Sequence, residues 1–246
     1  MTLQRSAICK GCWQQLHLPI PLRGVASAPF RMVGVRPSRM NPNTCTVCEM
    51  MFTRIMKAAK VTIDASVMFV DLRGYTGLTQ SLSPESMATL LGSFYDECAD
   101  AIWAHDGLLN KTIGDAVMAV FNFPIRHVDH ARNAVLAARD IQRRFADRGT
   151  AILRSHGLSD DAPGIGIGIG IDSGTASFGE FGQSHRDLTA IGTVVNMAAR
   201  AQGAAAAGEI LVTRAVYDRT QPDLAASRSG TYSLKGFEQP VELYAA

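Results

Sequence analysis

The sequence predicts an α+β domain of ferredoxin-like βαββαβ order, with helices packed on a mainly antiparallel sheet and a small cysteine module in front. Three observations predict it. From about residue 61 the apolar pattern switches regularly between strand and helix periods; a strictly alternating Gly-Ile run covers 164–171; and four of the five cysteines fall into two Cys-x-x-Cys pairs before residue 50. The chain divides accordingly into a cysteine-rich, metal-binding module over 1–49, a short linker helix over 50–60 and a main domain over 61–246.

Each element follows from its local pattern. An apolar run makes 61–71 a strand that ends on Asp71. Residues 84–105 read as a helix, with Ser83 as N-cap, Pro84 in the first turn and Gly107 just past the end. Its core-facing stripe is Met87, Leu90, Leu91, Phe94, Cys98, Ala101 and Ile102, which makes Cys98 a packing residue. A hairpin over 108–122 and a helix over 129–146, capped by Asp129, come next. The strand at 164–171 then gathers its isoleucines on one face and leaves the glycine face open for close packing of a helix or subunit. Met50, Met51, Phe52, Ile55 and Met56 give the linker helix an apolar side, suited to coupling or dimer contact.

Composition excludes several classes. Apolar residues make up 47% of the 246 and charged residues 19%, a globular balance, and a net charge of +2 builds no field for nucleic acid. The most apolar early stretch, Leu16 to Val35, is interrupted by Pro19, Pro21, Arg23, Pro29 and Arg31, so no membrane span is expected. No apolar secretory core stands at the amino terminus, and a reducing, cytoplasmic setting is the expectation. Cysteines are then thiols or metal ligands.

Cys9 and Cys12 form one knuckle and Cys45 and Cys48 another, together a four-sulfur site of the structural zinc type, with an iron–sulfur cluster or redox dithiols as the other possibilities. Five prolines and four arginines fill the gap between them, a composition that buries little on its own. Zinc supplies about 10 kcal/mol of apparent folding energy in such modules.

Asp71 and Asp115 are the candidate catalytic centre. In the βαββαβ order the first and third strands are antiparallel neighbours, so the end of strand one meets the hairpin turn and Asp71 comes beside Asp115. Two carboxylates at a sheet edge suit a pair of divalent cations and phosphoryl transfer. Gly74 and Gly114 leave room beside them. Asn196 and Arg200, four apart on a helix, present an amide and a guanidinium on one face, where they can converge on a ribose and a phosphate. No P-loop, His-Glu-x-x-His or serine-hydrolase elbow is present.

Taken together, Phe69-Val-Asp-Leu-Arg-Gly-Tyr-Thr, Lys111-Thr-Ile-Gly-Asp-Ala-Val-Met-Ala-Val-Phe, Leu188-Thr-Ala-Ile-Gly and Val195-Asn-Met-Ala-Ala-Arg resemble the class III nucleotidyl cyclases from about Val61 to Tyr244. The resemblance implies a cyclase palm-type core that turns ATP into cyclic AMP and pyrophosphate. Asp71 and Asp115 would hold two Mg²⁺ or Mn²⁺ ions, Lys111 and Thr189 read the purine, Asn196 orient the ribose, Arg200 meet the transferring phosphate and Lys235 hold the terminal phosphates. Family guanylate cyclases typically place Glu and Cys where Lys111 and Thr189 stand, so the pair implies adenine. Lys with Thr is also the pattern of the bicarbonate-responsive branch, which implies a bicarbonate effector. In the family the metal and nucleotide groups come from different subunits, which implies a symmetric homodimer. A guanylate or mixed-specificity cyclase and an inactive nucleotide-binding regulatory module are the alternatives. Thr193 and Leu188 depart from the usual Asp and Tyr, at positions outside the chemistry. The Gly-Gly-Asp/Glu-Glu-Phe turn of diguanylate cyclases is absent at Ile113-Gly-Asp-Ala.

Overall fold

A computed structural model describes residues 5–149, 166–182, 187–224 and 228–246. Before the sheet come helices α1 (Lys10–Leu16), α2 (Ala28–Met32) and α3 (Thr46–Ala58), and α4 (Tyr75–Ser81) follows the first strand. The sheet strands are β1 (Val61–Arg73), β2 (Leu108–Ile113), β3 (Ala116–Phe121), β4 (Gly166–Phe181), β5 (Asp187–Ile191), β6 (Ile210–Thr213), β7 (Ser229–Tyr232) and β8 (Val241–Ala245). They run in the order β2-β3-β1-β4-β6-β8-β7, with β5 pairing β4 off that path. Only β4 and β6 pair in parallel among the described strands. The first four strands reproduce the arrangement expected of βαββαβ, in which β1 lies antiparallel between β3 and β4.

β1 holds the centre because Ala65 to Val70 are buried on both faces of the sheet. Met68 and Val70 join Val117, Ala119 and Phe121 of β3 and Ile167, Ile169 and Ile171 of β4 under helices α5 (Pro84–Ala104) and α6 (His130–Arg144). Cys98 is fully buried in this layer, as its stripe requires, and desolvation pushes its thiol pKa up. On the other face Val67 and Phe69 meet Phe52 and Met56 of α3, and Val194 and Ala198 of α7 (Thr193–Ala204). Helix α3 is thus two-sided: Phe52 and Met56 are buried while Met50 is 67% exposed.

Two boundaries and one cap need correction. The linker helix expected over 50–60 begins at Thr46, inside the second knuckle, because Cys45 caps it, and it ends at Ala58. The Gly-Ile strand does not stop at 171 but continues to Phe181, because Ala176 and Phe178 stay buried, Gly166 to Phe178 pair β1 and Ser177 to Phe181 pair β5. Gly164 and Ile165, at its expected start, lie outside the described residues. Asp129 precedes α6, yet its side chain makes no capping bond: its backbone (φ −92°, ψ 38°) is not the extended one from which a carboxylate reaches forward. Ser83 is extended and accepts from the Ser86 amide at 3.2 Å, as expected.

The glycine face of β4 packs as the alternation predicts. A Cβ on Gly170 would lie 2.0 Å from Gln202 N and 2.4 Å from Ala198 O, so α7 rests directly on strand backbone. A Cβ on Gly168 would strike the Arg73 guanidinium.

A polar network crosses the sheet at Ser66. Its hydroxyl meets Ser173 Oγ at 2.6 Å and His130 Nδ1 at 2.8 Å, all three residues being buried. Burial pushes the His130 pKa down, against the pull of Asp64, and keeps the ring neutral. Its Nε2 accepts from Arg219 Nη1 at 2.9 Å, which leaves Nδ1–H to donate to Ser66. Arg219 also forks onto Asp64 at 2.9 and 3.1 Å.

Candidate active site and cysteine centre

The fold brings together, at one end of β1, the two aspartates expected to hold metal. Asp71 lies opposite Ala116 in the antiparallel ladder, and the Leu72 amide donates to Asp115 O at 3.2 Å. The turn into β3 needs Gly114 at φ 59°, and the exit from β1 needs Gly74 at φ 77°, left-handed positions where a side chain would be strained. Burial pushes the Asp71 carboxyl above the ordinary range, the Arg73 guanidinium opposes that, and the Asp115 charge adds to it. The donor set fits divalent cations: two hard carboxylates, one raised by burial and then by its neighbour, leave negative charge that a cation would relieve.

Arg73 is a member of this site that the motif reading passed over. It donates to Asp71 Oδ2 at 2.8 Å, and its other terminal nitrogen donates to the Gln202 carbonyl of α7. The signal was present in the sequence, since residues two apart on a strand share a face. One guanidinium therefore joins the Asp71 edge to the helix that bears Asn196 and Arg200.

The expected purine residues sit apart from this edge, at a second corner. Lys111 on β2 forms an ion pair with Asp187 on β5. Thr189 Oγ1 donates to Asn110 Oδ1 at 3.0 Å, and Asn110 Nδ2 donates to Leu188 O at 2.9 Å. Lys111 and Thr189 are thus linked through two residues that sequence reasoning missed, Asn110 and Asp187. Neither had a visible signal, because β2 and β5 are far apart in the chain. The Lys111 and Asp187 side chains are 23% and 47% exposed, so their pair contributes under about 1 kcal/mol to stability. We expect Asp187→Ala to leave the thermal midpoint nearly unchanged and to alter KM for nucleotide, measured by melting and by initial rates on one preparation.

Asn196 and Arg200 are exposed on α7, whose Val194, Ala198 and Ala201 face the core. Lys235 is exposed in the turn between β7 and β8. Arg186, the first residue of the segment expected to bear the nucleotide groups, lies outside the described residues. Within one chain the seven expected residues occupy separate stations: the β1 edge, the β2–β5 corner, the outer face of α7 and the β7–β8 turn.

All four amino-terminal knuckle cysteines meet in a buried cluster, with every sulfur within 4.8 Å of the others. Cys9 is the N-cap of α1 and Cys45 that of α3; their sulfurs accept from the Cys12 and Cys48 amides at 3.3 and 3.5 Å. The Cys45 amide donates to Cys9 Sγ at 3.2 Å. Bonds from Cys48 and Cys9 hold the Cys45 thiol far below its usual pKa, while burial pushes Cys12 up and the bonds to Cys45 and Cys9 push Cys48 up, so Cys45 is the thiolate of the quartet. No helix among the described residues is long and apolar enough to cross a membrane.

Comparison with known proteins agrees with this geometry. Residues 57–245 match the family model of the adenylate and guanylate cyclase catalytic domain. The chain is 29% identical over 184 residues to adenylate cyclase 1 of Rhizobium meliloti (strain 1021), covering 74% of this chain and 27% of that one. It thus spans about a quarter of that relative's length. The crystal structure of the adenylyl cyclase CyaB from P. aeruginosa superposes with a TM-score of 0.70 at 29% identity, over 76% of this chain and 95% of that one. The guanylate cyclase domain of RhGC from Catenaria anguillulae, solved in complex with GTP, superposes with a TM-score of 0.65 at 26% identity, over 74% and 94%. With the family motifs in order and the cyclase sheet built around them, this chain belongs to the adenylate and guanylate cyclase catalytic domain family.

Proposed function

We propose that this protein is an adenylate cyclase, forming 3′,5′-cyclic AMP and pyrophosphate from ATP at sites completed across a homodimer. The observation that carries the choice of ATP is the β2–β5 corner, where Lys111 and Thr189 are linked through Asp187 and Asn110. A Lys donor beside a Thr hydroxyl matches the adenine edge, and Asp187 and Asn110 restrict how far those two groups stray from it. The relatives named as adenylate cyclases support this reading.

In the proposed reaction the ribose 3′-oxygen attacks the α-phosphorus as the bond to pyrophosphate breaks. Asn196 orients the ribose, and Arg200 faces the charge that develops on the transferring phosphate. Lys235 holds the terminal phosphates. Asp71 and Asp115 are the ligands for two Mg²⁺ or Mn²⁺ ions, which when bound supply a more acidic 3′-hydroxyl and charge compensation on the phosphates. Exposure of Asn196 and Arg200 on α7 suits groups that serve a site on a second copy of the chain. The cysteine quartet is read as a structural or regulatory metal centre for zinc, and the protein as cytoplasmic.

Incubation with ATP or GTP and Mg²⁺ or Mn²⁺, followed by chromatography of the product, tests the reading. Cyclic AMP is expected. Cyclic GTP-derived product in equal or greater yield would make it a guanylate or mixed-specificity enzyme, and no product from a folded dimer would make it a regulatory module. Lys111→Glu with Thr189→Cys is expected to shift kcat/KM from ATP toward GTP by about tenfold or more, since each exchange turns a matched hydrogen bond into a mismatched one. A bicarbonate effector is a further part of the proposal, and equal rates with and without bicarbonate at fixed pH would remove it.

A further inference from the structure

The cysteine cluster lies outside residues 57–245, which match the cyclase family, yet the structure joins it to the sheet. We propose that Cys9, Cys12, Cys45 and Cys48 bind a single Zn²⁺ ion, and that the filled centre is the core of the amino-terminal module and fixes the turn entering β2. The last step rests on the cyclase reading above; the first two do not.

Sulfur spacing selects a single ion. Cys12 Sγ lies 3.4 Å from Cys48 Sγ and 3.6 Å from Cys45 Sγ, and Cys9 Sγ lies 3.6 Å from Cys48 Sγ. A tetrahedron with Zn–S bonds of about 2.3 Å has S···S edges of about 3.8 Å. An iron–sulfur cluster puts several iron and sulfide atoms among its four cysteines and needs them farther apart. Four thiolates around one d¹⁰ ion, with no redox demand and no open position, describe structural zinc. The amides of Cys12, Cys45 and Cys48 donate to sulfur, which spreads the excess negative charge of a tetrathiolate centre. A Cβ on Gly11 would come within 2.9 Å of Cys48 Sγ, so the chain also leaves the sulfurs their room.

The module has little else inside it. Before α3 its buried apolar members are Cys9, Cys12, Leu22 and Cys45, with Ile20, Val35 and Met40 only partly buried against them. A segment this short that buries so little needs a cross-link or a metal to hold a fold.

Residues within and beside the knuckles grip the corner where α5 passes into β2. Lys10, inside the first knuckle, donates to both oxygens of Asp106 at 2.7 and 2.5 Å. Asn43 Nδ2 reaches Trp103 O at 2.9 Å, and Trp103 Nε1 returns a bond to Met40 O at 2.9 Å. Asn41, fully buried, donates to Gly107 O at 2.8 Å. Gly107 is the residue before β2, which carries Asn110 and Lys111. Metal occupancy therefore sets the starting point of the strand that presents the proposed adenine donor.

The test begins on the full-length protein purified without chelator, by elemental analysis and by cobalt substitution. We expect one zinc per chain, and a Co²⁺-loaded form with the intense visible bands of a tetrahedral tetrathiolate. No bound metal, or iron with acid-labile sulfide, would overturn the assignment. Cys98→Ser, at a buried thiol outside the cluster, should retain the zinc; Cys12→Ser should lose it. Should Cys12→Ser not fold, zinc release by a mercurial thiol reagent from the wild type gives the same readout, and release should expose residues 5–45 to protease ahead of the sheet. Unchanged protection after release would overturn the core role. Asn41→Ala should keep its zinc and raise KM for ATP about three- to tenfold with kcat little changed, the effect of one positioning hydrogen bond. An unchanged KM would overturn the link to β2. The metal and protease readouts involve no nucleotide, so they stand or fall apart from the assignment of cyclase activity.

Discussion

Replacing Asp71 by alanine is expected to lower cyclic nucleotide formation about 10³-fold or more while the protein remains folded, because the change removes a proposed ligand of both ions and with it their charge compensation at the phosphates. The stability side follows from the environment of the carboxylate. Its pKa is raised first by burial and further by Asp115, with Arg73 pulling the other way. A raised carboxylate costs stability when ionised, so at neutral pH its removal relieves that cost while giving up the Arg73 bond. These terms oppose each other, and the thermal midpoint should move little. Arg73 keeps its bond to the Gln202 carbonyl in the variant. Rates with Mn²⁺ and a melting curve on the same sample check both halves. A variant that melts like the wild type and turns over like the wild type would remove Asp71 from the metal site.

Gly170→Ala should be the most damaging single-methyl change in the sheet. The new Cβ would stand 2.0 Å from Gln202 N and 2.4 Å from Ala198 O, both backbone atoms that no rotamer change can move aside. Either α7 lifts away or β4 bends, at a cost of about 3 kcal/mol or more. Because Asn196 and Arg200 ride on α7, surviving protein should also lose activity out of proportion to its lost stability. Gly174→Ala, further along the same strand, is the control. Its Cβ would find nothing nearer than Val194 Cβ at 3.9 Å, an ordinary contact, so it should fold and function. Denaturant midpoints and kcat for the two variants settle the comparison.

Much of this was legible in the chain. Asp71 and Asp115 could be placed side by side because the βαββαβ order fixes which strands are neighbours, and the β1–β3 register puts them there. Alternation alone implied a glycine face open to a helix or a subunit, and α7 occupies it. The pairing of the two Cys-x-x-Cys knuckles was readable from thiolate chemistry, and the structure brings them together. Asn110 and Asp187 were not legible, since strands distant in sequence meet there through an edge pairing that no local pattern announces. Asp129 misled because residue preference at a helix start says nothing of the backbone angle that lets a side chain turn back. The strand past Ile171 was missed because the Gly-Ile alternation ends there and polar Asp172 follows, whereas Asp172 is buried and accepts from Thr213 Oγ1 at 2.5 Å.

The Gly-Ile repeat has a property that hydropathy conceals: it is degenerate. Slid by two residues against β1, Gly166 to Ile171 would show the same faces to the same layers, with isoleucine still under α5 and α6 and glycine still under α7. Nothing in the repeat distinguishes one alignment from the next, and a slip would carry the Asp71 edge some 7 Å out of step with α7. The information that chooses the alignment lies five residues from Asp71, in the Ser66–Ser173 pair and the neutral His130 that satisfies it. A shift of two leaves those buried hydroxyls facing apolar or unmatched partners, which interiors do not tolerate cheaply. The polar network thus acts as the index mark of an otherwise repeating scale, and the placement of the Asp71 edge is read from it.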